Sequence, residues 1–213
     1  MRDKLGKFKA NSINSGAFSK PLKLESCYWA GFIAADGNLR KSQAKEISIM
    51  LNIRDTKHLR KLKKYLKYSG KVNVREYKCT GKVCRISITN TKLFEDLVTN
   101  FNVTPIKSLT LKPPKNLTKK QSLAFIAGYI DGDGSIHTSL GKRSITRQLV
   151  LNILGTKKML CWIKNVFNLQ NKNLFKIRNI YSFSIGGNRL VPKTLAPILK
   201  LKLPLLQRKW SKI

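Results

Sequence analysis

The sequence predicts an α+β protein built from two pseudo-symmetric copies of one unit, each running αββαββα. Two observations predict it. First, three blocks recur in the same order: YWAGFIAADGNL (28–39) with FIAGYIDGDGSI (125–136) and ISITNTKL (86–93) with FSIGGNRL (183–190), each at an offset of 97, and LNIRDTK (51–57) with LNILGTK (151–157) at an offset of 100. Two copies are too few for a solenoid, so a pseudo-twofold duplication is the natural architecture. Second, each copy alternates between helical and strand periodicity in the same sequence of elements.

The first helices fall at 26–36 and 119–133, and the second opens on a capping box, Thr118 with Gln121. KEISIMLNI places Ile47, Ile49, Leu51 and Ile53 on one strand face, and RQLVLNI does the same with Leu149, Leu151 and Ile153. DTKHLRKLKKYL and TKKMLCWIKNVF are helical in period. VNVREYK and VCRISIT read as a hairpin turning at Gly81, with KNLFKIRNIYSFSI as its counterpart. The linker KPPKNLTK carries two prolines that end the first copy. These boundaries give a flexible basic arm at 1–24, repeats at 25–111 and 119–213, and a linker at 112–118.

Hydrophobic residues make up 42% of the 213, which excludes a disordered chain. Lys and Arg number 43 against 10 Asp and Glu, a net charge of +33. Such an excess repels itself on folding, and solubility alone favours acidic residues, so a polyanion is the expected partner. The four cysteines and two histidines form no zinc pattern. Cys79 and Cys84 could face each other across the hairpin, but reduced thiols are the expected state. No apolar run reaches membrane-spanning length, and the N-terminus lacks an apolar signal core.

The chemistry gathers at the ends of the first helices. Gly31 and Ala35, and likewise Gly128 and Gly132, stand four apart and leave each helix one face without bulk. Packed there, the helices would end level, with Asp36 and Asp133 emerging together, each before a glycine suited to a left-handed turn. Carboxylates about 5 Å apart repel by roughly 3 kcal/mol at an effective dielectric near 20, and the helix dipoles add to that. A divalent cation reverses the sign, and few hard oxygen ligands suit Mg²⁺; the end carbonyls of Ala35 and Gly132 are further candidate ligands. Asp131 has no acidic counterpart, since Ala34 takes its place, so it reads as a support of the helix end.

WAGFIAADG (29–37) and IAGYIDGDG (126–134) resemble the signature of the LAGLIDADG homing endonuclease family, and the duplicated layout covers nearly the whole chain. The resemblance implies a monomeric enzyme whose signature helices form the interface beneath a saddle of antiparallel sheets. It implies metal binding by Asp36 and Asp133, with Ala34 a departure at a tolerated position. The implied reaction is hydrolysis of one phosphodiester per strand across the minor groove of double-stranded DNA, leaving short 3′ overhangs. Mn²⁺ is expected to substitute for Mg²⁺, and Ca²⁺ to support binding without cleavage. By the same resemblance Lys107 and Lys202 are the candidate basic residues beside the metals, and Lys57 and Lys157 the candidate water-organising residues; a phosphate contact or a solvated charge is the alternative for each. The expected place of action is intracellular, in an organelle such as a mitochondrion or chloroplast, or in prokaryotic or phage-infected cytoplasm.

A two-stranded ribbon fits the major groove, where all four base pairs differ. Alternation turns Asn38, Arg40, Ser42, Ser48, Asn52, Arg54, Asn73, Arg75, Tyr77, Arg85 and Ser87 away from the first core, and Ser135, His137, Ser139, Gln148, Asn152, Lys176, Arg178, Ser182 and Ser184 away from the second. The two sets differ, so an asymmetric site is expected. The same basic surface would also serve an intron RNA maturase or a catalytically silent DNA-binding protein, but keeping both acidic positions argues for cleavage.

Overall fold

The first half runs α1 (Leu24–Asp36), β1 (Gly37–Lys41), β2 (Lys45–Asn52), a 3₁₀ turn (Ile53–Asp55), α2 (Thr56–Tyr65), β3 (Asn73–Tyr77), β4 (Gly81–Thr89) and α3 (Thr91–Phe101). A short α4 (Lys107–Thr110) leads to the second half, α5 (Lys119–Asp133), β5 (Gly134–Leu140), β6 (Arg147–Gly155), α6 (Lys157–Val166), β7 (Leu174–Ile177), β8 (Ile180–Gly186) and α7 (Leu190–Leu199), and a final α8 (Gln207–Trp210). The structure is a computed structural model that describes residues 11–77, 81–140 and 146–213. Cys79 lies outside the described residues, as do residues 1–10 of the expected arm. Both halves repeat the αββαββα order, and their antiparallel sheets, β1-β2-β4-β3 and β5-β6-β8-β7, form the saddle. No helix of the described residues is long and apolar enough to cross a membrane.

The core explains why α1 and α5 show so little amphipathic pattern. Residues 26–34 of α1 and 122–131 of α5 are all buried, because each helix packs on its own sheet and on its twin. Glycine permits the approach. A Cβ built on Gly31 would lie 1.9 Å from the Phe125 carbonyl oxygen, and one on Gly128 would lie 1.9 Å from that of Tyr28. Backbone therefore meets backbone across the interface. The Thr118–Gln121 capping box forms as expected.

Several expectations are corrected. Gly37 (φ −77°) and Gly134 (φ −95°) are extended, because β1 and β5 begin directly at the helix ends. Their need for glycine is spatial: an added Cβ would sit 2.6 Å from the carbonyl oxygens of Ile33 and Ile130. Residues 11–23 are no free arm. Ala17 and Phe18 are buried, Tyr65 Oη donates to the Ala17 carbonyl (2.6 Å), and Asn100 Nδ2 donates to that of Phe18 (3.0 Å). Phe18 fills an aromatic gap between Tyr65 and Phe101 that the first repeat leaves open. The second repeat, in turn, does not end within itself: residues 204–208 reach the first half, where Arg208 pairs with Asp55, before Lys209 and Trp210 bond back to α5.

The glycine contact yields a stability test. Gly128→Ala should cost at least about 3 kcal/mol, the top of the usual overpacking range, since backbone must move. That corresponds to a fall of about 6–12 °C in Tm for a chain of this size. Gly186→Ala, whose added Cβ meets nothing nearer than 3.8 Å, should leave the thermal transition nearly unchanged. Equal effects of the two substitutions would refute the close helix contact.

Candidate active site

The ends of α1 and α5 lie side by side. A Cβ on Gly132 would be 2.2 Å from that of Ala35, 3.2 Å from Asp36 N and 3.3 Å from Asp36 Cγ. Asp36 therefore stands across the interface from the residue preceding Asp133. Asp36 is half-buried, while Asp133 keeps access to solvent at the rim of a recess of about 190 Å³, lined by Ala34, Ala35, Lys107, Leu111, Tyr129, Leu154, Gly155, Thr156 and Ile180. Burial, and then the charge of Asp133, push the Asp36 carboxyl up to about 6 even though Lys209 and Lys107 pull it down. Burial also raises Asp133, opposed by Lys107, Lys209 and the nearby Tyr129 hydroxyl. The pair is thus undercompensated by the protein's own cations.

Each helix end carries one ammonium group. Lys107 Nζ donates to the carbonyls of Ala34 (2.7 Å) and Ala35 (2.6 Å). Lys209 Nζ, almost fully buried, lies 3.0, 2.6, 3.1 and 2.6 Å from the carbonyl oxygens of Ile130, Asp131, Gly132 and Gly134. These lysines satisfy orphan carbonyls and oppose the negative ends of both dipoles. Burial lowers both lysines from the ordinary value, against the pull of the carboxylates.

The structure places the predicted residues unevenly. Lys107 joins the carboxylate pair, but Lys202 is exposed on the turn after α7, and Lys209 takes the position expected of it. No local pattern in QRKWSKI marks Lys209, because it reaches the site only through the return of the C-terminus; the neighbouring Trp210 was the available hint of burial. The carbonyls of Ala35 and Gly132, expected as metal ligands, accept from the lysines instead, which leaves each one lone pair. Lys57 lines a separate recess with Arg54, Asp55, His58, Lys61 and Arg208, away from the pair. Lys157 is exposed at the start of α6, and the recess holding Asp133 reaches only its neighbour Thr156. Asp131 is buried and makes no part of the pair.

The outer sheet faces agree with most of the alternation. Asn38, Ser48 and Ser87 share a row, as do Arg85 and Asn73, with Arg40 and Arg75 exposed on the same face and Tyr77 at the end of β3. In the second sheet Ser135, Asn152 and Ser184 form a row, with His137, Ser139 and Gln148 along the β5–β6 pair. Ser48 and Ser182 are nevertheless buried, and Ser182 Oγ donates to Asn152 Oδ1 (2.8 Å). Arg85 is partly committed, to Ser87 Oγ and to Glu46. Asn52 caps the 3₁₀ turn that holds Arg54, and Ser42 lies in the bend after β1. Two assignments fail on register. The turn at Arg178–Asn179, with Arg178 at φ 52°, pairs Ile177 with Ile180. That sets Lys176 opposite Tyr181 on the core-side face and leaves Arg178 in the turn, while Phe175, opposite Ser182, faces outward. Alternation alone also missed Met50, exposed beside Arg85.

Among the described residues no group of three or more His, Cys, Asp or Glu could hold a metal ion. What the site offers is two hard carboxylate ligands, one from each half, with open space for water or phosphate oxygens. That donor set fits a hard divalent cation that keeps much of its hydration shell, and it does not fit zinc.

No family model and no curated protein matches the sequence. Solved structures do match its fold over most of their length. The LAGLIDADG homing endonuclease I-GzeII in complex with its DNA target is 14% identical, with a TM-score of 0.61 over 94% of this chain and 89% of that one. The LAGLIDADG meganuclease I-AabMI bound to uncleaved DNA is 15% identical, with a TM-score of 0.58 over 88% and 87%. I-SmaMI bound to an uncleaved DNA target in the presence of calcium ions is 12% identical, with a TM-score of 0.58 over 87% of each chain. This chain has the LAGLIDADG homing endonuclease fold.

The raised Asp36 carboxyl fixes the sign of a pH effect in metal-free protein. A carboxyl at about 6 in the native state against 3.8 ordinarily binds its proton more tightly when folded, so stability falls as pH rises between those values and stays low above them. Asp133 acts in the same direction, and Lys107 and Lys209 oppose both. Asp36→Asn should melt higher than wild type at neutral pH in chelator and show a shallower decline from acid to neutral. A lower Tm for the variant at neutral pH would show the carboxylate to be fully compensated.

Proposed function

We propose that this protein is a site-specific double-strand DNA endonuclease of the LAGLIDADG homing type. One observation carries the reading: each repeat delivers one carboxylate and one lysine, bonded to helix-end carbonyls, to the same pair of abutting helix ends. A silent scaffold would gain nothing from a carboxylate pair that raises its own free energy. The relatives in fold support it, since they are described as homing endonucleases or meganucleases on DNA, one of them with calcium ions.

In this reading Asp36 and Asp133 hold the metal, and Mg²⁺ is the proposed ion. When bound, it supplies activation of water and stabilisation of charge on the phosphate. Lys107 and Lys209 keep positive charge beside the carboxylates and orient the helix ends. The outer strand residues, led by Arg40, Arg75, Gln148 and Asn73, read base edges in the major groove on either side. Because the two faces carry different side chains, the proposed site is long and asymmetric. The proposed products carry short 3′ overhangs, with one phosphodiester of each strand cut across the minor groove. Both halves lie in one chain, so a monomer suffices.

A cleavage selection on a randomised DNA library should yield one asymmetric site, cut only with Mg²⁺ or Mn²⁺. Asp36→Asn and Asp133→Asn should each abolish cutting while retaining binding in Ca²⁺. Binding should weaken by orders of magnitude between about 50 and 200 mM salt. Normal cleavage by both variants would remove the basis of the proposal.

A further inference from the structure

The C-terminal residues 204–212 form a strap that bridges the two halves: Pro204, Leu205 and Arg208 bond to the first, while Lys209, Trp210 and Lys212 bond back to α5 and β5 of the second. Its outer contacts are with α1, α2 and the 3₁₀ turn before α2. The Pro204 carbonyl lies 3.3 Å from Tyr28 Oη, Lys61 Nζ donates to the Leu205 carbonyl (3.3 Å), and Arg208 makes two bonds of 2.7 Å to the buried Asp55 carboxylate. On the inner side Lys209 and Lys212 bond to second-half carbonyls, Lys212 Nζ to that of Ile136 (3.0 Å), and the side-chain anchor is Asp131, which is 1% exposed. Trp210 Nε1 donates to Asp131 Oδ1 (2.6 Å), while Leu206 N (2.9 Å) and Tyr28 Oη (2.5 Å) donate to Oδ2. One carboxylate of the second half thus ties the strap at two points and α1 at a third.

Lys209 sits between Arg208 and Trp210, so anchors on both sides bring its ammonium to the carbonyls of Ile130, Asp131, Gly132 and Gly134. Among the described residues the first half has no such device. Ala34 stands at the position matching Asp131, and Lys107 comes from the four-residue α4, whose flanking Ile106 is 87% exposed. We infer that Asp131 is a positioning residue which, with the Arg208–Asp55 pair, fastens the strap and holds Lys209 at one of the two reaction centres, while Lys107 serves the other centre independently. This rests on the endonuclease reading. It explains why only one copy of the motif keeps the extra acid. Its consequence is selective: loosening the strap slows cleavage of one strand only.

Three variants loosen it differently. Asp131→Asn leaves one oxygen for three donors, so at least one N–H or O–H loses its acceptor. Trp210→Phe removes one donor and keeps an aromatic ring in the core. Arg208→Ala cuts the outer tie, and Arg208→Lys should restore part of it. The assay follows each strand of a supercoiled plasmid carrying the site selected with wild-type protein. All three variants should slow the same strand by about ten- to a hundredfold, as loss of supporting hydrogen bonds does at comparable sites, and accumulate nicked circles. Lys107→Ala should slow the opposite strand, and binding in Ca²⁺ should be unchanged for Trp210→Phe and Arg208→Ala. Hydrogen exchange of the amides 205–212 in the free protein should rise in all three strap variants. Equal slowing of both strands, slowing of neither, or exchange like that of wild type would overturn the inference. If wild-type protein cuts no DNA, the endonuclease reading fails, and exchange at 205–212 and at the end of α5 alone decides whether Asp131 fastens the strap.

Discussion

The contact between α1 and α5 is the constraint from which the rest follows. Gly31 and Gly128 each face a backbone carbonyl of the partner helix at a distance no side chain could occupy. With backbones so close, the two helices behave as one element, and their ends fall at the same level. The sheets pack on opposite flanks of this pair, which makes the saddle. Asp36 and Asp133 meet because their helices cannot stand apart.

That meeting has an electrostatic cost which the protein answers only in part. Two helix C-termini, each with carbonyls lacking intrahelical partners, converge with two carboxylates. Lys107 and Lys209 satisfy the carbonyls and offset the dipoles. Asp36 still holds its proton up to about 6, so the carboxylates retain an unmet attraction for positive charge. The same logic operates over the whole molecule. A net charge of +33 is self-repelling until a polyanion neutralises it.

The two halves share one plan and differ from each other in identifiable ways. The lysine at one helix end comes from a short helix near the linker, the other from the C-terminal strap. Asp131 ties that strap, and Ala34 has nothing equivalent to tie. The β7–β8 turn sets a register that presents Phe175 where the first sheet presents polar residues. Each departure changes what one half can do without disturbing the shared helix pair.

The repeat, the order of elements, the glycine faces and the pairing of Asp36 with Asp133 were legible in the sequence, because each depends on spacing within one short segment. Periodicity finds strands and helices, and a four-residue spacing of small residues finds a close helix contact. What sequence could not resolve was decided by chain returns and by register. Lys209 lies 75 positions from Gly134, whose carbonyl it meets, and no local pattern encodes that return. Alternation puts Lys176 on the wrong face because the two-residue turn sets the register of the whole strand. Phe18 lies in a segment with the composition of a free arm, and the gap between Tyr65 and Phe101 buries it. Local order follows from nearest-neighbour chemistry; which distant groups share a cavity follows from packing, and only the folded chain settles that.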